Sequence, residues 1–314
     1  MPAFYAGDGL LTLTLIKRLM ENAWVFQSQT LGYPFGASLY DYPIPDSGSL
    51  LFLKVFALVT HSAGAAYNIY YLLGFPLNAL AAYYALGRLG VYRTPFRAVG
   101  AFVFAILPFH FMRIGHLLYT WYFSAPLFAL FAYKIYQGER LQFFKERPWT
   151  NCVLWAGSLL ALSCFGVYYA FFGVLTMLTG GATGSARARS LTPIVRSVLA
   201  TSIVTIGIVL NVAPNIAYRV THGVNEETAQ RSAAESERYG LKIAQLLLPQ
   251  PHHRFQPFAK LNDVYSRTFP LVNENNSSAA GMIGAAGLLG LLLSLVLHRK
   301  RSGEADSVPF LASL

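Results

Sequence analysis

The chain has 314 residues, of which 54% are hydrophobic and 12% charged, with a mean hydropathy of +0.43. A soluble domain carries about 25% charged residues, so an ordinary soluble domain is excluded and an all-α polytopic membrane protein is expected. The net charge of +10 would suit nucleic acid, but the bases gather between apolar segments, so the expected partner is the lipid bilayer and no nucleic acid.

Residues 1–65 read as an external first loop. In 9–24, Leu10, Leu13, Ile16, Leu19, Met20 and Trp24 recur at helical spacing, with Lys17, Arg18, Glu21 and Asn22 away from that stripe. This predicts an amphipathic helix at the membrane surface or against the other helices. A Pro/Gly-punctuated loop, "GYPFGASLYDYPIPDSGSL", follows. The apolar run 49–61 is too short to span, which takes about 20 residues, and reads as interfacial or re-entrant. A chain opening in an external loop is expected to lack a first transmembrane helix.

Residues 66–218 read as a transmembrane bundle, with spans at 66–87, 96–112, 117–136 and 197–218. Arg88, Arg93 and Arg97, then Lys134, Arg140, Lys145 and Arg147, then Arg187, Arg189 and Arg196 fall between apolar runs. These segments read as cytoplasmic, and the short turn 113–116 as external. Both flanks of the apolar stretch 151–180 are then cytoplasmic. A helical hairpin with two short arms is predicted there, turning near Gly166. Such a broken element needs protein or a cavity around it. One long tilted helix is the alternative and would reverse everything downstream. Residues 219–278 form a polar external loop with six acids and seven bases. Residues 279–297 are the last span, and 298–314, with Arg299-Lys300-Arg301, a cytoplasmic tail. Cys152 and Cys164 are expected to be buried thiols with no disulfide.

Among candidate site residues, Asp8 stands between two glycines before an apolar run. It is either a helix cap or a carboxylate doing chemistry at the interface. Asp41 and Asp46 lie in the Pro-rich loop, as a base or as metal or sugar ligands; Asp46 also suits a cap for 49–61. The run "LPFHFMRIGHLLYTWY" crowds His110, Arg113, His116, Tyr119 and Tyr122 at the external end of a tight turn. An Arg and His there suit a lipid phosphate, or else anchor the turn at the interface. Tyr168 and Tyr169 stand near the predicted hairpin turn, as core or as hydroxyls for a headgroup. A short amphipathic helix is predicted around Glu235–Leu247, followed by a Pro break and His252-His253-Arg254. Asn273, Glu274 and Asn275 precede the last span; carboxylate and amides there suit sugar hydroxyls. No metal-ligand spacing, Walker loop, dinucleotide fingerprint or nucleophile elbow is present.

In combination, "YAGDGLLTLTLIKRLMENAW", "GYPFG…DYPIPD", "LPFHFMRIGHL", "ERYGLKIAQLLLPQPHHR" and "LVNENNSS" resemble the GT-C superfamily of integral-membrane glycosyltransferases, and more closely a group of bacterial membrane proteins labelled sugar transferases or translocases. The resemblance implies a GT-C-like helix bundle with interfacial helices in the first external loop. It implies inverting transfer of a sugar from a polyprenyl-phosphate carrier to a glycan, lipid or protein acceptor. Asp8 matches the catalytic carboxylate of the first external loop, and Arg113 and His116 gain the lipid phosphate as ligand. No cofactor is required, though some GT-C enzymes use a divalent metal. The expected place is a bacterial inner membrane, with the site facing the periplasm. Against the family's pattern, the chain is expected to lack the first span and to stop soon after its last one. A transporter or flippase of lipid-linked sugar, and a non-catalytic scaffold or fragment, are the competing readings.

Overall fold

The computed structural model describes residues 1–139, 147–228, 232–268 and 279–297. These are mostly helical. Strand is limited to Gln27–Ser28 (β1) and Ala37–Ser38 (β2), an antiparallel pair that closes the loop between the first two helices. Among the described residues, three helical stretches are long and apolar enough to cross a membrane: Ala63–Arg88, Thr94–Met112 and Thr192–His222.

The chain divides into two compact units. The first comprises Met1–Ala105 and Arg113–Thr228. It opens with α1 (Asp8–Glu21), which buries Thr12, Leu15, Ile16 and Leu19 and packs on α2 (Ser47–Thr60) and α3 (Ala63–Arg88). Leu10 and Leu11 are exposed, while Arg18 is buried and donates to the Val25 carbonyl at 2.7 Å. The apolar stripe is therefore turned relative to the sequence expectation, and Arg18 lies inside it. A long side chain whose guanidinium reaches a backbone carbonyl can occupy such a place. At 14 residues, α2 is about 21 Å long, too short to cross about 30 Å of hydrocarbon.

Helix α3 carries Pro76 in its interior. It packs against α4 (Thr94–Ala105), where Arg97 lies 4.0 Å over the Tyr83 ring and donates to the Tyr83 carbonyl. After α5 (Pro108–Met112) the expected span 117–136 is broken. A 3-10 turn at Leu117–Thr120 precedes α6 (Ser124–Tyr136), whose 13 residues reach only about 20 Å. Hydropathy counts apolar residues, whereas the break is made by buried polar groups that tie the turn down, described below.

The apolar stretch 151–180 lies in two helices, α7 (Pro148–Leu162) and α8 (Val167–Ala188), that meet at Gly166. Each packs on α9 (Thr192–His222), and α8 also packs on α6. The segment 181–196, expected as a cytoplasmic loop, is mostly helix: α8 continues to Ala188 and α9 begins at Thr192. Its small residues explain this. A Cβ on Gly184 would lie 2.6 Å from the Tyr136 carbonyl oxygen, one on Gly181 2.4 Å from Ser197 Cβ, and one on Gly173 2.5 Å from the Phe128 ring. Close approach of backbones is how helices associate where lipid supplies no hydrophobic drive. Cys152 is exposed and Cys164 half-buried, both as free thiols, which corrects the expectation that they are buried.

The second unit comprises Ile106–Met112 and Ala229–Leu314. The single amphipathic helix expected near 235–247 is two, α10 (Ala234–Tyr239) and α11 (Ile243–Leu247), parted at Gly240. Helix α12 (Gln256–Thr268) was not foreseen; its buried Asn262 donates to the Pro249 carbonyl at 2.8 Å. Helix α13 (Gly281–Leu297) is apolar but spans 17 residues, and Ala280 before it donates to the Leu246 carbonyl.

Candidate active site

Within the first unit, one end of the helices gathers the start of α1, the turn 113–120, the Gly166 corner and the residues before α2. Asp8 is the first residue of α1, and Gly7, at φ +48°, takes the N-cap position. The Asp8 carboxylate is thus not the cap that the sequence allowed. It lies 3.2 Å, Oδ2 to Nδ1, from His116, and 65% of its side chain is exposed. Phe4 sets this meeting. A Cβ on Gly9 would lie 2.6 Å from the Phe4 ring, and one on Gly115 3.0 Å from it. Both glycines thus let α1 and the turn close over one aromatic side.

The turn itself is held by buried donors. Tyr67 donates its hydroxyl to the Ile114 carbonyl, Asn78 its amide to the Thr120 carbonyl at 2.9 Å, and Tyr169 its hydroxyl to the Tyr119 carbonyl at 2.6 Å. Trp121 stacks on Tyr70 at 4.0 Å and donates its indole N–H to the Tyr70 carbonyl at 2.7 Å. The bonds to the Ile114, Tyr119 and Thr120 carbonyls satisfy backbone groups that a helix would have satisfied internally, which is why the segment can leave helical geometry.

Rings continue from His116. Tyr119 lies 6.2 Å from His116, 5.5 Å from Tyr168 and 6.3 Å from Tyr169, and Tyr119 and Tyr168 share a side-chain hydrogen bond. The Arg113 charge is close enough to act on the Tyr119 and Tyr169 hydroxyls. Asp8, Arg113, His116, Tyr168 and Tyr169, separate in sequence, thus fall in one cluster. Tyr119, named with its neighbours in the run 107–122, stands between His116 and the two tyrosines of α8.

Asp46 belongs to the same end but faces inward. It is 4% exposed, and its Oδ1 accepts the Gly166 N–H at 2.5 Å. The Val167 N–H also bonds to it. Although Asp46 stands in the N-cap position of α2, its side chain makes no bond to that helix. It caps α8 instead, 120 residues away. Burial pushes its pKa up to about 6, against the opposing effect of the two N–H groups.

Compared with protein families, characterised proteins and solved structures, the chain matches none.

The remaining sequence candidates fall elsewhere. Asp41 Oδ2 accepts the Asn225 amide at 3.0 Å, beside the stacked rings Phe26, Tyr40, Tyr218 and His222. His252 and His253 belong to the second unit. His252 is exposed at φ +58°, and His253 accepts the Phe255 N–H and lies 5.2 Å from the Phe258 ring. Asn273 and Glu274 lie outside the described residues. Among the described residues no three His, Cys, Asp or Glu side chains gather as a metal site requires.

Proposed function

We propose that the chain is a multi-pass membrane glycosyltransferase that takes a sugar from a polyprenyl-phosphate carrier and passes it to a glycan, lipid or protein acceptor. The observation that carries this reading is the exposed Asp8 carboxylate held beside His116, with Arg113 and tyrosine hydroxyls in the same cluster. Asp8 accepts the acceptor's hydroxyl proton as the acceptor oxygen attacks the anomeric carbon. The bond from that carbon to the carrier phosphate breaks, and the electron pair leaves with the phosphate. Arg113 and the tyrosine hydroxyls face the growing phosphate charge. His116 holds the Asp8 carboxylate in position and adds positive charge when protonated. Attack from the side opposite the leaving phosphate inverts the anomeric centre.

The distribution of bases supports a periplasmic site in a bacterial inner membrane. Helices α3, α6 and α8 run away from the cluster and end in Arg88, Lys134 and Arg187, while α9 starts near Arg196 and returns to it. Bases at the far end suit a cytoplasmic face.

The test is transfer from labelled polyprenyl-phosphate sugars in membranes containing the chain or its Asp8→Asn form. Loss of a general base should lower transfer by about 10²–10⁴-fold. Full transfer by Asp8→Asn would reduce Asp8 to a residue of the first helical turn.

A further inference from the structure

Three consecutive residues hold the corner between α7 and α8. Asp46 receives the Gly166 and Val167 N–H groups. Ser47 donates its N–H and hydroxyl to Asn211 Oδ1, and the Asn211 amide donates to Cys164 Sγ at 3.3 Å. Gly48 donates its N–H to the Cys164 carbonyl at 3.0 Å, and a Cβ there would overlap the Phe165 ring at 2.7 Å. Gly166 itself, at φ +78°, admits no ordinary side chain; a Cβ would lie 2.4 Å from the Tyr169 ring. The next two residues after Val167 are Tyr168 and Tyr169, which meet Tyr119.

A helix start buried this way needs acceptors, but it does not need a charge. Ser or Asn would accept the same N–H groups without the cost of burying a carboxylate. We propose that Asp46 is a positioning residue of the candidate site: its carboxylate fixes the first turn of α8, and its ionisation sets how readily the Gly166 corner, and Tyr168 and Tyr169 with it, opens toward the cluster. This rests on the proposed active site only for its consequence in transfer.

The direction follows from linkage. With Asp46 pushed up to about 6, above its ordinary value, any opening that lets water reach it is favoured by ionisation. The corner is tightest below the ordinary carboxylate range, opens more readily as pH rises toward about 6, and changes little above that. The groups facing Asp46 are Tyr70 from α3, Tyr119 from the 3-10 turn and Tyr169 from α8, with Ser49 of α2 bonded to Tyr70. Burial raises the pKa of the Tyr119 hydroxyl further above this range, and the Arg113 guanidinium acts on Tyr119 and Tyr169.

Cys164 reports on the corner. In Cys152→Ser it is the one thiol of the chain. Its modification by a small maleimide, in full-length protein in detergent, is followed from pH 5 to 8 with Asp46 and with Asp46→Asn. The ratio of the two rates cancels every pH effect common to both forms. The rate of the Asn form relative to the parent should fall several-fold between pH 5 and 7 and then stay level to pH 8. A ratio flat in pH, or an Asn form faster at every pH as a plain loss of packing would give, overturns the proposal. If Asp46→Asn does not accumulate, the parent profile decides. A rate that climbs more steeply below about pH 6 than above it supports it, and a profile of one slope throughout overturns it. No donor or acceptor enters this measurement, so its failure is separable from failure of the transfer assay.

Discussion

Asp46 illustrates how one carboxylate's surroundings alter its role. The Asp46-Ser-Gly-Ser run reads as a cap for the helix that follows it, yet the carboxylate caps α8 instead. Because its folded pKa is raised, its contribution to stability is full below the ordinary carboxylate range and is lost as pH rises through about 6. The loss amounts to up to about 3 kcal/mol, at 1.36 kcal/mol per pKa unit. Thermal unfolding of Asp46→Asn and the parent should therefore diverge with pH. The variant's melting temperature should rise relative to the parent's between pH 5 and 8, and a constant difference would show that the carboxylate carries no such cost. Arg18 is a second case. It was read as part of a polar face, but it is buried and bonded to the Val25 carbonyl. Desolvation lowers its pKa. Arg18→Ala should destabilise the packing of α1 by about 1.5–3 kcal/mol, the worth of a charged hydrogen bond, measurable as faster proteolysis of the first 45 or so residues. Unchanged proteolysis would mean that α1 docks through Leu15, Ile16 and Leu19 alone.

The helices whose apolar character is continuous were the readable ones: α3, α9 and the short α2 lie close to their expected places. Elements fixed by polar ties were not. The run 117–136 is apolar enough for a span, but Asn78 and Tyr169 take its Thr120 and Tyr119 carbonyls, Trp121 is tied to the Tyr70 carbonyl, and Tyr67 holds Ile114 just before it, in a broken turn. The run 181–196 carries Arg187, Arg189 and Arg196 and reads as a loop. Its glycines nevertheless let α8 run on against α6 and α9. The two kinds of glycine can be told apart by substitution. Gly184→Ala would press a methyl into the Tyr136 backbone and should cost several kcal/mol, lowering the yield of folded protein in detergent. Gly157→Ala meets nothing within 4 Å and should stay within about 0.5 kcal/mol of the parent. Equal tolerance of both would mean that α6 and α8 are not packed this closely.

For the molecule as a whole, orientation is the property to measure. Single cysteines in a chain free of its two native thiols, at Tyr33 and at Arg189, sit at the two ends of the first unit; Tyr33 is 85% exposed. A membrane-impermeant maleimide applied to intact cells should label Tyr33→Cys and spare Arg189→Cys until the membrane is opened. The reverse pattern would put the Asp8 cluster on the cytoplasmic side and remove the lipid-linked donor from reach in the proposed form. Composition and the spacing of apolar runs were enough to read a helical membrane chain, because hydropathy and charge act along the chain itself; residue type and place named Asp8, Arg113, His116, Tyr168 and Tyr169 only as candidates among others. That these five lie together, that Asp46 serves a helix 120 residues away, and that Tyr119 joins them, came only with packing. Those relations depend on which backbones glycines let approach and on which buried polar group finds which partner, and neither is a property of any one stretch of sequence.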